Sequence, residues 1–296
     1  MTDATRTCRL AEGSERSVTI GPDQPLAIIA GPCVLESRDL GLRVGQRVQS
    51  VCHELGLSFV FKASFDKANR SSIASYRGLG LDEGLGEIAA VGTALGVPTT
   101  TDLHEPAQAR PVAEAVDLLQ IPAFLCRQTD LLLAAASAAT EFGRAVNVKK
   151  GQFLSPREMT GPVKKLAEGG AQNVMLTERG TFFGYHRLVN DFIGLGDLME
   201  TEAGAGPPPV CFDVTHSTQL PGSGEQTGGR PDRAPLLARA AAAAGVHALF
   251  IECHPDPANA MSDGATVLDL DTAERVLREV AAIRSALARS AAEAPG

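Results

Sequence analysis

The sequence predicts an α/β fold, a (β/α)8 or TIM barrel preceded by a short N-terminal hairpin. A chain of 296 residues is long enough for one barrel, and its 44% hydrophobic residues can fill one large core. Short apolar or β-branched runs alternate with segments of helical composition, a pattern typical of βα units around a parallel sheet. Eight such runs occur, which is the number that closes a barrel.

The segment before the first run predicts the hairpin. SVTI followed by the turn GPDQP suits two short strands that cap the bottom of the barrel. We therefore expect an N-terminal extension with a small hairpin over residues 1–24, the catalytic barrel over residues 25–287, and a flexible tail over residues 288–296.

The eight predicted strands start roughly 20 to 40 residues apart. They are LAIIA from Leu26, SFVFKAS from Ser58, PTTTD from Pro98, DLLQIP from Asp117, VNVKK from Val146, NVMLTE from Asn173, VCFDV from Val210 and ALFIE from Ala248.

Segments rich in Ala, Leu, Glu and Arg predict the helices between these strands. They cover residues 38–55, 82–95, 105–115, 129–142, 156–168, 188–200, 231–244 and 271–287. A doubly wound open sheet is the rival fold. Its nucleotide-binding version is disfavoured because no G-x-G-x-x-G or Walker loop follows any of the runs.

Composition limits the possible partners. The formal net charge of -8 disfavours nucleic acid as a partner, since binding a phosphate backbone usually needs a basic stripe. No apolar run approaches the ~18 residues that a membrane span requires, and no signal peptide is evident, so no membrane partner is expected. The six cysteines are scattered without close pairs, which favours a reducing cytoplasm over an oxidising compartment.

Basic residues follow several of the predicted strands. In a barrel the carboxyl ends of the strands meet at one rim, so these side chains should converge there. Converging Lys and Arg suit phosphate and carboxylate groups, which predicts a multiply charged anionic substrate. The alternative is that these cations pair with nearby carboxylates, which accounts for only some of them. The carboxylates concerned are those of Asp66, Asp102, Glu178 and Asp213. The cations concerned are Lys62, Lys67, Arg70, Lys149 and Arg179.

A second group of residues at strand ends combines one thiol, one imidazole and two carboxylates. Cys33, His216, Glu252 and Asp263 form a mixed S/N/O ligand set of the kind that holds a divalent transition metal and leaves positions open for water or substrate. Spacing alone leaves a purely structural alternative open, because a lone cysteine or histidine at a strand end is commonly a core residue.

Long motifs along most of the chain resemble one enzyme family, 3-deoxy-D-manno-octulosonate 8-phosphate synthase, also called 2-dehydro-3-deoxyphosphooctonate aldolase. The resemblance runs from about Leu26 to Leu270. The motifs are IAGPCVLES, FKASFDKANRSS, TDLHEP, IPAFLCRQTDLL, NVKKGQFLSP, LTERGTFFGY, FDVTHSTQLPG and IECHPDPANAMSDGA.

The resemblance implies a transferase that condenses phosphoenolpyruvate with D-arabinose 5-phosphate and water, releasing inorganic phosphate, in 3-deoxy-D-manno-octulosonate and lipopolysaccharide biosynthesis. KANRSS points to this five-carbon acceptor, because the sister enzyme 3-deoxy-arabino-heptulosonate 7-phosphate synthase typically has Lys-Pro/Ala-Arg-Thr-Ser there. That sister enzyme, which uses erythrose 4-phosphate, and a catalytically silent barrel that binds a phosphorylated sugar remain the alternatives.

The resemblance also implies roles for single residues. Phosphoenolpyruvate is held by Lys62, Lys67, Gln120, Lys149 and Arg179, with the backbone near Ala123 at its phosphate. Asn69, Arg70 and Ser71 lie on the acceptor side, and the catalytic set is Lys62, Lys67, Lys149, His216 and Asp263.

Cys33 together with Ser262-Asp263 indicates the metal-dependent branch of the family. The implied cofactor is one divalent ion (Zn, Fe, Mn or Co) on Cys33, His216, Glu252 and Asp263, and the implied assembly is a homotetramer. Three departures from the family pattern are Ala74, Leu79 and His186-Arg187, of which Ala74 bears on acceptor affinity or a subunit contact.

Overall fold

The computed structural model describes residues 6–69, 75–203, 206–221 and 228–293. In this part of the chain eight parallel strands follow one another around a closed barrel, because the last strand, β12, pairs with both the first barrel strand, β3, and β9. The predicted TIM barrel is confirmed. Its strands are β3 (Ala27–Gly31), β4 (Ser58–Lys62), β5 (Thr99–Asp102), β6 (Leu118–Ile121), β7 (Ala145–Lys149), β8 (Val174–Glu178), β9 (Val210–Asp213) and β12 (Ala248–His254).

The N-terminal hairpin closes the bottom of the barrel. Strands β1 (Cys8–Leu10) and β2 (Val18–Ile20) pair in antiparallel fashion. The side chains of Cys8, Leu10 and Ile20 are fully buried and pack against the residues that fill the lower lumen of the barrel. An N-terminal hairpin is therefore present, and it seals the end opposite the carboxyl ends of the strands. Its turn lies at residues 11–17, before β2, and not at the predicted GPDQP, which instead leads from β2 to β3.

The helices surround the barrel close to where the sequence predicts them. Within the described residues, no helix is long and apolar enough to cross a membrane. Their bounds are α1 (Arg38–Leu55), α2 (Leu81–Leu95), α3 (Ala109–Ala115), α4 (Thr129–Phe142), α5 (Thr160–Glu168), α6 (Phe192–Met199), α7 (Ala234–Ala244) and α8 (Leu270–Glu293). Two short antiparallel strands, β10 (Gln219–Leu220) and β11 (Gly228–Gly229), and the edge strand β13 (Leu268–Asp269) complete the described strands.

Five helix boundaries differ from the prediction by three residues or more. Helices α3, α5 and α7 begin three or four residues late because a 3-10 turn precedes each of them, at Pro106–Gln108, Pro156–Met159 and Pro231–Arg233. Helix α6 begins four residues late because Asp191 accepts a hydrogen bond from the backbone N–H of Ile193 and caps the helix, while Val189 pairs with Thr181 in a short bridge. Helix α8 continues to Glu293, so the segment from residue 288 is helical up to that point. Its last six residues, ARSAAE, are mostly good helix formers, but all of them are exposed. The sequence therefore has no alternation of buried and exposed positions there that would predict a helix.

Side chains along each barrel strand alternate between the lumen and the helices. On β12, Phe250 packs with the lumen residues, whereas Leu249 and Ile251 pack with the helices. The same alternation on β7 places Ala145 inside and Val146 outside. Because the period is two, the last residues of each strand fall into one of two sets, one facing the mouth of the lumen and one facing the helices.

Candidate active site

A cavity of about 1170 Å³ opens at the carboxyl ends of the strands. The predicted site residues that line it are Lys62, Lys67, Asn69, Gln120, Ala123, Lys149, Arg179, His216, Glu252 and Asp263. Cys33 adjoins it through contacts with Ser262 and Asp263. Arg70 and Ser71, predicted to hold the acceptor phosphate, lie outside the described residues, as does Ala74. The structure thus gathers around one cavity residues that are up to 230 positions apart.

A buried lysine and a buried glutamate meet at the floor of this cavity. The ammonium group of Lys62 donates to the carboxylate of Glu252 and to the carbonyl oxygen of Cys33, at 2.8 Å for the latter. Burial would raise the pKa of Glu252, but Lys62 leads the charges that outweigh burial and hold the pKa well below its ordinary 4.5. Gly31 permits this approach of β3 to β4, because a Cβ there would lie 1.9 Å from the carbonyl oxygen of Lys62.

Asp213 connects the second buried lysine with the predicted metal-binding histidine. Its Oδ2 accepts from Lys149 Nζ at 2.6 Å and lies 2.8 Å from His216 Nδ1, and its Oδ1 accepts from the backbone N–H of His216 at 2.9 Å. Lys149 Nζ also lies 3.7 Å from the centre of the Phe250 ring. Because Nδ1 of His216 faces a carboxylate, its proton belongs there, and the lone pair of Nε2 is left facing the cavity.

Three of the four predicted metal ligands form one close group, and His216 approaches two of them. Ligand atoms of Cys33, Glu252 and Asp263 all lie within 4.8 Å of one another, and Cys33 Sγ is 3.3 Å from Asp263 Oδ2. Nε2 of His216 lies 3.6 Å from Glu252 Oε2 and 3.9 Å from Asp263 Oδ2. Among the described residues Glu252 Oε2 is buried without a hydrogen-bond partner. A thiol, two carboxylates and an imidazole lone pair that converge in this way fit a divalent transition metal.

Burial also affects the protonation state of the Cys33 thiol. Burial, and then the neighbouring Glu252, raise the pKa of the Cys33 thiol well above its ordinary 9.0. An anionic thiolate beside two carboxylates is therefore unfavourable unless a cation joins them. Without a bound cation, Cys33 is therefore a neutral thiol next to two carboxylates.

Arg179 lies on another side of the cavity. Nη2 donates to Gln219 Oε1 at 2.6 Å, and in the described part of the chain the buried Nη1 has no hydrogen-bond partner. Burial lowers the pKa of this guanidinium from 12.5, and Asp213 and Glu178 oppose that change. A buried cation with an unused donor is suited to an anionic ligand.

Sequence reasoning gave no catalytic or binding role to His104 and considered Asp102 only as a possible counter-ion, yet both residues line the cavity. Nε2 of His104 is 2.9 Å from Asp102 Oδ2. Burial lowers the pKa of His104, but the hydrogen bond and charge of Asp102 outweigh burial and raise the pKa above 6.5. Their position at the end of a strand, in TDLHEP, was the available signal, and only the structure reveals the contact between them.

These side chains can perform three tasks. Fixed cations can bind anions and stabilise negative charge that develops during a reaction. Carboxylates and imidazoles can accept, hold or donate protons within the same cavity. The converging ligand set can hold a metal ion that acts as a Lewis acid.

Comparison with known proteins agrees with the motif resemblance. The profile of the DAHP synthetase I family matches residues 8–289. A 2-dehydro-3-deoxyphosphooctonate aldolase from Cyanothece sp. is 52% identical over 272 residues, which cover 92% of this chain and 96% of that protein. Aldolases of the same name from Synechococcus sp. and Nitrobacter hamburgensis are also 52% identical, covering 91% and 94% of this chain and 92% and 94% of the relatives. The chain therefore belongs to the DAHP synthetase I family.

Proposed function

We propose that this chain is a transferase that condenses phosphoenolpyruvate with D-arabinose 5-phosphate and water, giving 3-deoxy-D-manno-octulosonate 8-phosphate and inorganic phosphate. The observation that carries the proposal is the group of Lys62, Lys67, Lys149 and Arg179 around one cavity of a chain with a formal net charge of -8. The relatives named as 2-dehydro-3-deoxyphosphooctonate aldolase support this acceptor rather than that of the sister enzyme.

In this reaction C3 of phosphoenolpyruvate attacks the aldehyde carbon, water adds at C2, and phosphate leaves by C–O cleavage. Lys62, Lys67, Gln120, Lys149 and Arg179 hold phosphoenolpyruvate, together with the backbone at Ala123. Asn69, Arg70 and Ser71 hold the acceptor. The alternation of side chains along the strands supports the first assignment, because it directs Lys62, Gln120 and Lys149 into the lumen.

The fixed cations serve both binding and chemistry. Two anionic substrates repel each other, and buried Lys and Arg offset this repulsion while they fix the reacting carbons in contact. Lys62 and Lys149 are held by buried carboxylates, so little reorganisation accompanies the development of charge at C2 and at the aldehyde oxygen. His104, with its pKa raised by Asp102, is available to hold a proton at the same cavity.

The proposal includes one divalent transition metal on Cys33, His216, Glu252 and Asp263. The orphaned Glu252 Oε2 and the Nε2 lone pair of His216 support this assignment. When bound, such an ion supplies Lewis-acid character and positive charge that can orient the acceptor or lower the pKa of water. A set with one thiolate and one imidazole suits Zn2+, Fe2+, Mn2+ or Co2+ better than Mg2+, which prefers oxygen ligands.

The assembly proposed for the chain is a homotetramer in the cytoplasm. Phe183, Tyr185 and Ile193 are 90%, 94% and 81% exposed, and apolar side chains so exposed on a monomer are commonly covered in an assembly. The six cysteines are free and buried thiols, in keeping with a reducing compartment. Sedimentation equilibrium on the purified chain measures the assembly, and a monomer at micromolar concentration would contradict the tetramer.

The activity is tested by measuring phosphate release from phosphoenolpyruvate with a panel of aldose phosphates, with and without a chelator. We expect release with arabinose 5-phosphate at a specificity constant far above that for erythrose 4-phosphate. Equal or reversed specificity constants would favour the sister activity. Binding of phosphorylated sugars without any release of phosphate would instead support a silent binding barrel.

A further inference from the structure

A third buried lysine–carboxylate pair lies next to the cavity without lining it. Lys150 and Glu178 are 1% and 4% exposed, and Lys150 Nζ lies 3.3 Å from Glu178 Oε2. Neither residue lines the described cavity, whereas their chain neighbours Lys149 and Arg179 do. The alternation along β7 and β8 explains this arrangement, since residues 149 and 179 fall on the lumen side and residues 150 and 178 on the opposite side.

Lys150 bonds to the loops that follow both strands. Its ammonium group donates to the carbonyl oxygen of Leu154 at 3.0 Å and to Thr181 Oγ1 at 3.3 Å. Its backbone N–H donates to the carbonyl oxygen of Thr177 at 2.7 Å, which extends the pairing of β7 and β8 beyond Lys149. One side chain thus joins the loop after β7 to the loop after β8.

Glu178 bonds to the backbone on either side of Arg179. Its Oε1 accepts from the backbone N–H groups of Arg179 and Gly180 at 2.8 and 2.7 Å. Gly180 has φ of +90°, a conformation that glycine adopts with little strain, and this turn directs its N–H back towards the carboxylate. The carboxylate therefore determines where the chain turns immediately after Arg179.

The two loops also form part of the cavity wall. The backbone N–H of Phe182 donates to the carbonyl oxygen of Gln152 at 2.8 Å, and both residues line the cavity. A buried ion pair by itself adds little stability, because desolvation offsets much of the attraction between the charges. The pair Lys150–Glu178 is instead placed to hold four backbone or hydroxyl groups next to two cations that face the cavity.

We propose that Lys150 and Glu178 are positioning residues that set the affinity for phosphoenolpyruvate without touching it, by fixing Lys149 and Arg179 relative to each other. This inference rests on the proposed function, which assigns both cations to that substrate. Losing the bridge lets the β7 and β8 loops shift separately, and a displacement of about 1 Å can cost up to ~100-fold in a site of this kind.

The experiment compares Lys150→Met, Glu178→Gln and the double variant with a matched control at the other end of β7. Arg144 directly precedes β7 and pairs with the buried Asp117 at 3.1 Å, and neither residue lines the cavity. Arg144→Met therefore removes an ion pair at the opposite end of β7, where Asp117 keeps its second pair with Arg16. Calorimetry measures the Kd for phosphoenolpyruvate, steady-state kinetics gives KM for each substrate and kcat, and urea unfolding gives stability.

We expect Lys150→Met to raise the Kd and KM for phosphoenolpyruvate by about tenfold or more, and to change KM for the acceptor less than twofold. The double variant should recover stability, since no unpaired buried charge remains, but should not recover the affinity. Arg144→Met should lose stability and keep both KM values.

An unchanged Kd for phosphoenolpyruvate in Lys150→Met would overturn the inference, as would an equal increase in KM for both substrates in that variant. An increase in the KM for phosphoenolpyruvate of the same size in the Arg144→Met control would also overturn it. If Lys150→Met does not fold, the double variant and Glu178→Gln decide the question by the same binding measurement. A parent protein that binds phosphoenolpyruvate but never converts it would contradict the proposed function and still permit this comparison.

Discussion

An Asp213→Asn variant should lose stability and metal affinity together. Asp213 is fully buried, and its two oxygens receive Lys149 Nζ at 2.6 Å, His216 Nδ1 at 2.8 Å and the backbone N–H of His216 at 2.9 Å. Burial would raise the pKa of this carboxyl, yet His216 and Lys149 hold it well below 3.8, so the charge is present at neutral pH. Asparagine keeps the shape but removes the charge.

The magnitude follows from these contacts. The amide oxygen of asparagine can still accept from the backbone N–H of His216, whereas its NH2 group would face two donors, Lys149 Nζ and His216 Nδ1–H. Breaking a buried pair by removing one charge costs about 3 to 5 kcal/mol, and the retained hydrogen bond places the expected loss near the lower end, about 3 kcal/mol. His216 can relieve the clash by moving its proton to Nε2, which removes the lone pair that faces Glu252 and Asp263.

Urea unfolding and titration with Co2+, followed by visible absorption, measure the two effects. We expect metal affinity to fall by roughly 10- to 100-fold, the range typical for loss of a partner that orients a metal-binding histidine. Asp232→Asn is the control. Asp232 lies at the exposed surface, and its described ion pairs are with arginines there. Normal Co2+ affinity in a destabilised Asp213→Asn protein would refute the assigned tautomer of His216.

Three further predictions concern the metal, the acceptor and the barrel bottom. Exhaustive chelation should abolish activity, and one of the four transition metals should restore it. Cys33→Ala should lose bound metal and activity together, as measured by elemental analysis and phosphate release. Cys33→Asn is expected to retain some activity without metal. Full activity after chelation, with no metal in the protein, would return Cys33 to a structural role. Arg70→Ala should lower kcat/KM for the acceptor by an amount equivalent to about 2 to 3 kcal/mol and leave kcat/KM for phosphoenolpyruvate largely unchanged. A comparable loss for both substrates would disprove the assignment. Burial and then Arg284 lower the pKa of His247 from 6.5 to about 4. Between these two pH values the unfolded chain binds more protons than the folded chain. About 3 kcal/mol of stability should therefore be lost as the pH falls from 6.5 to about 4. His247→Asn keeps an acceptor for the N–H of Val210 and should flatten this dependence in urea unfolding; an equally steep dependence in the variant would show that other groups cause it.

The barrel was predictable because its signal is local. Each strand is a short apolar run with its own turn residues, and the bounds of α1 and α4 agree with the sequence prediction. The late start of α6 was not predictable from apolar spacing, since a capping aspartate and a bridge to Thr181 exclude residues 188–191 from the helix. The extent of α8 likewise depends on helix propensity alone, without burial.

The candidate site was predictable as a set of residues but not as a set of pairs. Strand ends meet at one rim in any barrel, so Lys62 and Glu252 could be named together, yet the bond between them joins positions 190 residues apart. Asp213 was expected only as a possible counter-ion, and its contact with His216 required coordinates. The roles assigned to Arg70 and Ser71 stay predictions, because both lie outside the described residues.

The balance of charges around the cavity favours a bound metal ion independently of the ligand geometry. In the described lining, Lys62, Lys67, Lys149 and Arg179 are matched by four carboxylates, those of Asp102, Glu105, Glu252 and Asp263. Such balance lets buried cations stay charged, but it leaves little net attraction for two phosphorylated substrates that enter together. A divalent ion bound to Glu252, Asp263 and the thiolate of Cys33 would add two positive charges and one negative charge, which leaves the lysines and Arg179 in excess by one. Substrate binding and metal binding should therefore be coupled through charge, even if the ion never contacts phosphoenolpyruvate.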